Sequence, residues 1–223
     1  MKPTPGGPFA WRTFELGFEP WMRRKLQGVY LTGLPDPSPP ADLPLLLVAN
    51  HTSWFDGFLL RAVQRELRPR GVLRTIMLTR ELEDRWILRA LGGLGFDPSR
   101  PQTLRGVLRT LRDLRSVPAG LTVSFFPQGR IHPAWQDPPA PFRPGLRLLF
   151  EALAPARILP VAIHLEMGSH TRPTAYLSAG PLLDDNPVAG AEAAVNRELG
   201  RIREHLAHHG ESAAEAWPPR RPG

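Results

Sequence analysis

Leu45-Leu46-Leu47-Val48-Ala49-Asn50-His51-Thr52-Ser53-Trp54-Phe55-Asp56 decides how the rest of this chain is read. The run Leu45–Ala49, preceded by Pro44, is short, continuous and apolar, the pattern of a strand buried on both faces of a parallel sheet. From Phe55 onward, Phe58-Leu59-Leu60, Ala62-Val63 and Leu67 return at helical spacing. His51 is therefore expected at the carboxyl end of a strand, in the turn into a helix, the edge where open α/β sheets bind ligands. Asp56 lies five residues on and cannot share a helix face with His51. Across a strand–turn–helix corner the two can meet. The carboxylate then holds one imidazole nitrogen and leaves the other as a base. A second reading of the same residues stands beside this one. Ser53-x-x-Asp56 is also a helix capping box, with a carboxylate favourable at the positive helix end. This segment alone leaves catalysis and capping both open.

A second apolar strand is expected over Leu121–Phe126, and it too ends in a polar, glycine-containing turn, Phe126-Pro127-Gln128-Gly129-Arg130. Together the two segments resemble the PlsC-like glycerolipid acyltransferases, whose signatures are Asn-His-x4-Asp and, further on, Phe-Pro-Glu-Gly-Thr-Arg. Between them, Arg80-Glu81-Leu82 and Gly95-Phe96-Asp97-Pro98-Ser99-Arg100 look like the family's second block. After them, Phe142-Arg143-Pro144-Gly145 resembles its Phe-Lys-x-Gly, and Ile158-Leu159-Pro160-Val161-Ala162 its proline-containing strand. The resemblance runs from about Gly33 to Leu183, with the blocks in the family's order. It implies transfer of a fatty acyl group from acyl-carrier protein or CoA to the hydroxyl of a lysophospholipid, 1-acylglycerol-3-phosphate before others. His51 would be the base and Asp56 its orienting partner, with Arg100 and the turn Phe126, Pro127, Gln128, Gly129 and Arg130 binding the acceptor. The chain departs from the signature at one place. Gln128 stands for the family's Glu, Arg130 directly follows Gly129, and Ile131 occupies the usual arginine position. A glycolipid or glycosylated terpenoid acceptor, or a catalytically silent membrane-binding relative, is therefore the alternative.

Composition narrows the field. A chain of 223 residues, 42% hydrophobic, is long enough for one domain with a substantial core. Without cysteine there is no disulfide, no thiolate zinc site and no cysteine nucleophile. The formal net charge of +7 points to an anionic partner: a membrane surface, nucleic acid or a phosphorylated substrate. Lys2 and Lys25 are the only lysines, so the basicity is arginine, which suits bidentate phosphate contacts. Nothing resembles a cleavable signal peptide or a twenty-residue apolar span. The expected location is cytoplasmic, peripheral on the inner face of the cell membrane.

In chain order, Met1–Pro8 reads as loose, and Phe9–Leu31 as a helix with aromatics on one side, arginines on the other and Pro20 as a kink. Such a helix lies on a membrane or covers the sheet with its aromatic side. Strands are expected over 72–78, 158–164 and 174–178 as well, and helices over 84–91, 102–115, 145–154 and 189–209. Gly92-Gly93-Leu94-Gly95 reads as a break, and the proline-loaded 131–144 as a loop. Arg105, Arg109 and Arg112 form a stripe on an amphipathic helix, a solvated face before a lipid-facing one. The whole is an α/β fold, a single-domain layered sheet flanked by helices. Residues 1–32 are expected as an amphipathic membrane-surface segment, 33–209 as the acyltransferase domain and 210–223 as a disordered tail. His164-x-Glu166 with His170 lacks the cysteines of a zinc deaminase. His205, His208 and His209 sit where a helix dipole favours them, so no metal and no cofactor beyond the acyl donor is expected. No Gly-x-Ser-x-Gly elbow marks a serine hydrolase. Nucleic-acid binding would leave His51, Asp56 and the Phe-Pro-x-Gly turn without a purpose.

Overall fold

A computed structural model describes residues 6–83, 85–133, 135–183 and 187–219. Its elements in order are α1 (Pro8–Lys25), β1 (Gly28–Thr32), β2 (Leu45–Ala49), α2 (Asp56–Leu67), β3 (Val72–Leu78), α3 (Thr79–Glu83), α4 (Trp86–Ala90), β4 (Gly93–Phe96), α5 (Pro101–Leu114), β5 (Leu121–Phe125), α6 (Gly145–Leu153), β6 (Arg157–Glu166), β7 (Thr174–Ala179) and α7 (Pro187–His209). The strands form one sheet in the order β1-β7-β6-β2-β5-β3-β4. All neighbours pair in parallel except β6 and β7.

β2 lies near the centre, between β5 and β6, and all five of its residues are buried. Period-two alternation divides them between two cores. Leu45, Leu47 and Ala49 pack with Leu59, Leu60, Val63 and Leu67 of α2. Leu46 and Val48 pack with Val107 and Leu111 of α5 and Leu146, Leu149 and Leu153 of α6. The sheet is thus sandwiched between helices, and a strand with no wet face has no polar residue to spare. Pro160 sits inside β6, where a missing N–H would normally cost a ladder bond. Its carbonyl accepts from Gly180, just past the end of β7. The missing donor therefore faces the end of β7 and leaves the β2 ladder intact.

Five of the expected strands are present as β2, β3, β5, β6 and β7, and the layered α/β fold is as expected. Several expectations are corrected. The helix does not run to Leu31. It ends at Lys25, and Gly28–Thr32 becomes the edge strand β1, paired with β7. Residues 28–32 thus belong to the sheet, and no domain boundary falls after 32. Pro20 lies within α1. The glycines at 93 and 95 are not a break but a strand on which α3 and α4 press closely. A Cβ on Gly93 would stand 2.8 Å from Leu82 and from the Leu88 carbonyl, and one on Gly95 2.9 Å from Leu82. The helix expected over 84–91 is present as the shorter α4, and α3 precedes it where no helix was expected; Asp84 is outside the described residues. Gly6 is anchored rather than loose: its N–H donates to Ala90 and its carbonyl accepts from Leu73. The Gly7 carbonyl likewise accepts from the Trp11 N–H and Pro8 already opens α1, while residues 1–5 of the expected loose segment are outside the described residues.

The tail is ordered as far as it is described. A short 3-10 turn, Gly210–Ser212, follows α7. Trp217 then packs on Tyr176 at 4.9 Å and on His205 at 4.9 Å between ring centroids, and Thr32 donates to the Pro219 carbonyl. An aromatic ring with that much apolar surface finds a core, which composition alone hides. Residues 220–223 lie outside the described residues.

Candidate active site

Because β2, β3, β4, β5 and β6 run in parallel, their carboxyl ends share one edge of the sheet. The chain leaves β2 toward β3 and leaves β5 back across β2 to β6. Adjacent strands whose connections part in this way leave a crevice between them. His51 follows β2 and Phe126 follows β5, so both turns border that crevice.

Asn50 ends the strand. Its side-chain amide donates to the Ile163 carbonyl and accepts from the Ile163 N–H, both at 2.8 Å. The side chain so continues the ladder to β6 and releases the backbone to turn. After the turn, Asp56 is fully buried and is ringed by donors. One carboxylate oxygen accepts from His51 Nδ1 at 2.8 Å, the Thr52 N–H at 2.6 Å and the Ser53 N–H at 2.9 Å. The other accepts from Ser53 Oγ at 2.5 Å and Thr52 Oγ1 at 3.3 Å. A buried carboxylate needs such charge-assisted bonds to be tolerated. Both readings of the motif therefore meet in one side chain. Asp56 reaches back to Ser53 as a capping box does, but Ser53 Oγ accepts from Phe55 rather than from Asp56.

With Nδ1–H held by Asp56, Nε2 is the ring nitrogen left to act. The His51 side chain is about one-quarter open, at 23% exposure. Phe126 stacks on the ring at 4.5 Å and 22° between planes. A base oriented by a carboxylate and braced by an aromatic face can take a proton from a bound hydroxyl. The amides of Thr52 and Ser53 are occupied by Asp56 and are not oxyanion donors.

The acceptor-site residues do not all gather here. Pro127 is buried, and its carbonyl accepts from the Arg143 N–H at 3.0 Å. Gln128, expected among the acceptor-binding residues, is also buried, and both ends of its amide are engaged by the protein itself. Its Oε1 accepts from the His51 N–H at 2.7 Å and its Nε2 donates to the Ala140 carbonyl at 3.0 Å. Gly129 takes φ +72°, a left-handed conformation that favours glycine, and the Arg143 side chain lies against it. Arg130 is exposed and donates to His132 Nε2 at 3.2 Å. Arg100 stands elsewhere. It follows β4, three strands from β2, or about 14 Å between strand axes. It is exposed and lies 3.5 Å from the Asp97 carboxylate. The Ser99 hydroxyl and N–H, and then Arg100, hold the Asp97 carboxyl below the usual range.

Sequence reading assigned no role to Asn50, His132 or Ala140. The Asn in Asn-His was the one available signal for the first; the other two act through backbone groups, which leave none. Toward β7, His164 is buried with Nε2 3.0 Å from Glu166, and burial pushes its imidazole pKa down. Among the described residues, no group of three His, Asp or Glu side chains could hold a metal ion.

The matching family model is the one described as Acyltransferase, over residues 35–164, more than half of the chain. The protein belongs to the acyltransferase family. Among solved structures, the 1-acyl-sn-glycerophosphate (LPA) acyltransferase PlsC from Thermotoga maritima is similar over 90% of this chain and 80% of its own, with a TM-score of 0.56 and 17% identity. At that identity the likeness is one of fold, and the fold is the PlsC-like one. No curated protein matches the sequence.

Proposed function

We propose that this acyltransferase moves a fatty acyl group from the thioester of acyl-carrier protein or CoA to the hydroxyl of a lysophospholipid, 1-acylglycerol-3-phosphate before others. The acceptor hydroxyl gives its proton to His51 Nε2 as its oxygen attacks the acyl carbonyl. Asp56 holds Nδ1–H and stabilises the imidazolium. As the tetrahedral intermediate collapses, the carbon–sulfur bond breaks and the proton passes from His51 to the departing thiolate. The acceptor's own oxygen replaces a serine, so no acyl-enzyme forms. The observation that carries this reading is the His51–Asp56 pair, buried on its carboxylate side and open on its imidazole side.

The phosphate assignment is supported by the acceptor that the Thermotoga maritima protein's name gives for that protein, and by Arg130 on the turn next to His51's strand. A non-phosphate acceptor is the second reading. It is favoured by the Arg100–Asp97 ion pair and by the distance of that pair from β2.

The reaction is proposed to run at the cytoplasmic face of a membrane. Phe9 is 70% and Leu16 77% exposed on α1 beside exposed Arg12, a combination suited to an interface. Among the described residues, no helix is long and apolar enough to cross a membrane. Incubation with acyl-CoA or acyl-carrier protein and a panel of lysolipids, with products identified by mass spectrometry, tests the reading. Acylated lysophosphatidic acid, absent with His51→Ala, is the expected product. Faster acylation of an uncharged or glycosylated lipid would move the assignment to the second reading, and no product from any acceptor would mark a silent relative.

A further inference from the structure

The turn after β5 carries an amide where the family signature carries a carboxylate, and the surroundings of Gln128 demand the amide. Its two hydrogen-bond partners are of opposite kind. The His51 N–H needs an acceptor, and the Ala140 carbonyl needs a donor. A carboxamide offers one of each, whereas an ionised carboxylate has only acceptors. A carboxylate here would set an oxygen against the Ala140 carbonyl in a buried site, where unpaired polar groups are costly. The grip on His51 is two-sided, because its carbonyl accepts from the His132 N–H at 2.8 Å. Residues 127–143 are closed at their base by Arg143 and Pro127. They are tied to α7 by Arg203, which donates to the Gln136 carbonyl at 2.8 Å.

We infer that Gln128 is a positioning residue. It locks the 131–143 loop onto the His51 backbone and so sets the direction of the imidazole, and in this chain only a neutral amide does so. Asp56 fixes the ring from one side and Gln128 fixes the peptide that carries it. This deepens the acyl-transfer reading and rests on it. The charged and titratable side chains lining the same small cleft are His51, His132 and Arg203, so a carboxylate at 128 would also alter the field at the base.

The test compares Gln128→Glu and Gln128→Met with the unaltered full-length protein. Acyl transfer from acyl-CoA to the preferred lysolipid is followed from pH 6 to 9, together with melting temperature and hydrogen–deuterium exchange over 131–143. Both variants should lower kcat roughly ten- to a hundredfold, the scale of a small misplacement of reacting groups, with acceptor KM little changed. Exchange over 131–143 should quicken in both. Relative to unaltered protein, Gln128→Glu should recover as pH falls, since a protonated carboxyl regains a donor and burial raises the pH at which it protonates. Gln128→Met should show no such recovery.

A raised acceptor KM with kcat unchanged would make Gln128 an acceptor ligand and overturn the inference, as would unchanged kinetics. Should Gln128→Glu not fold, the isosteric, uncharged Gln128→Met decides by the same two readouts. If the unaltered protein transfers no acyl group, the functional reading fails. Loop exchange in the variants still shows whether residue 128 holds the loop, and unchanged exchange overturns the anchoring.

Discussion

His51 and Asp56 can meet because the chain turns between them and aims two peptide N–H groups, those of Thr52 and Ser53, at the same carboxylate. Asp56 orients the base and knits the entry to α2, so its substitution should tell on both counts. Asp56→Asn is expected to lower kcat by orders of magnitude, as tautomer control is lost, and to lower the melting temperature. Ser53→Ala separates the roles. Losing a capping hydroxyl costs ~0.5–2 kcal/mol of stability, read by denaturant unfolding, while transfer should persist. Activity loss in Ser53→Ala equal to that in Asp56→Asn would show that the two roles are not separable. The arginines divide likewise. A charge-assisted bond contributes ~1.5–3 kcal/mol, so Arg130→Ala should weaken lysophosphatidic acid binding roughly ten- to a hundredfold. Arg100→Ala, exposed and paired with Asp97, should change it less than about threefold. Equilibrium binding to lysophosphatidic acid and to a neutral lysolipid checks both.

At the scale of elements, α1 turns Trp11 and Phe14 inward. Trp11 is buried against Leu73 and Leu91, Phe14 stacks on Phe58 at 5.3 Å, and Arg61 of α2 pairs with Glu15 at 2.9 Å. Of the two roles open to this helix, its described aromatics at 11 and 14 serve the cover; the side chains of Phe18, Trp21 and Met22 lie outside the described residues. Exposed Phe9 and Leu16 remain for a bilayer. Trp11→Ser should thus cost about 3–5 kcal/mol of stability. Phe9→Ser with Leu16→Ser should leave the melting curve in place and weaken flotation with anionic liposomes. Flotation unaffected by the pair would remove α1 from the membrane contact.

For the whole molecule, His164 links stability to pH. It lies near the end of β6, opposite Tyr176 in register, bonded to Glu166 and within the field of Arg203. Burial depresses its pKa against the unfolded value near 6.5. The unfolded chain then binds the proton more readily, so stability rises with pH across that window. The contribution is full above about pH 6.5 and is lost as pH falls through the depressed value. Melting temperatures from pH 8 to 5 should fall more steeply for the unaltered protein than for His164→Gln. Parallel curves would assign the acid loss to other groups.

What the sequence determined by itself is the centre of the sheet and the pair at its edge. Leu45–Ala49 is apolar without interruption because both its faces are buried, and Leu121–Phe125 breaks its apolar run only with the small hydroxyls of Thr122 and Ser124; that pattern needs no knowledge of neighbours. The strand end and the five-residue offset then suffice to bring His51 to Asp56. The tertiary structure alone decided the rest, since it depends on partners far along the chain. β4 is a strand because β3 offers it a ladder and α3 presses on its glycines. β1 exists through β7, and Trp217 is ordered through Tyr176 and His205. Gln128 looks like a weakened acceptor ligand in its motif. It becomes a clasp only when the loop returns the Ala140 carbonyl to it, twelve residues later. A backbone carbonyl has no letter of its own, so no reading of residue types could have found it.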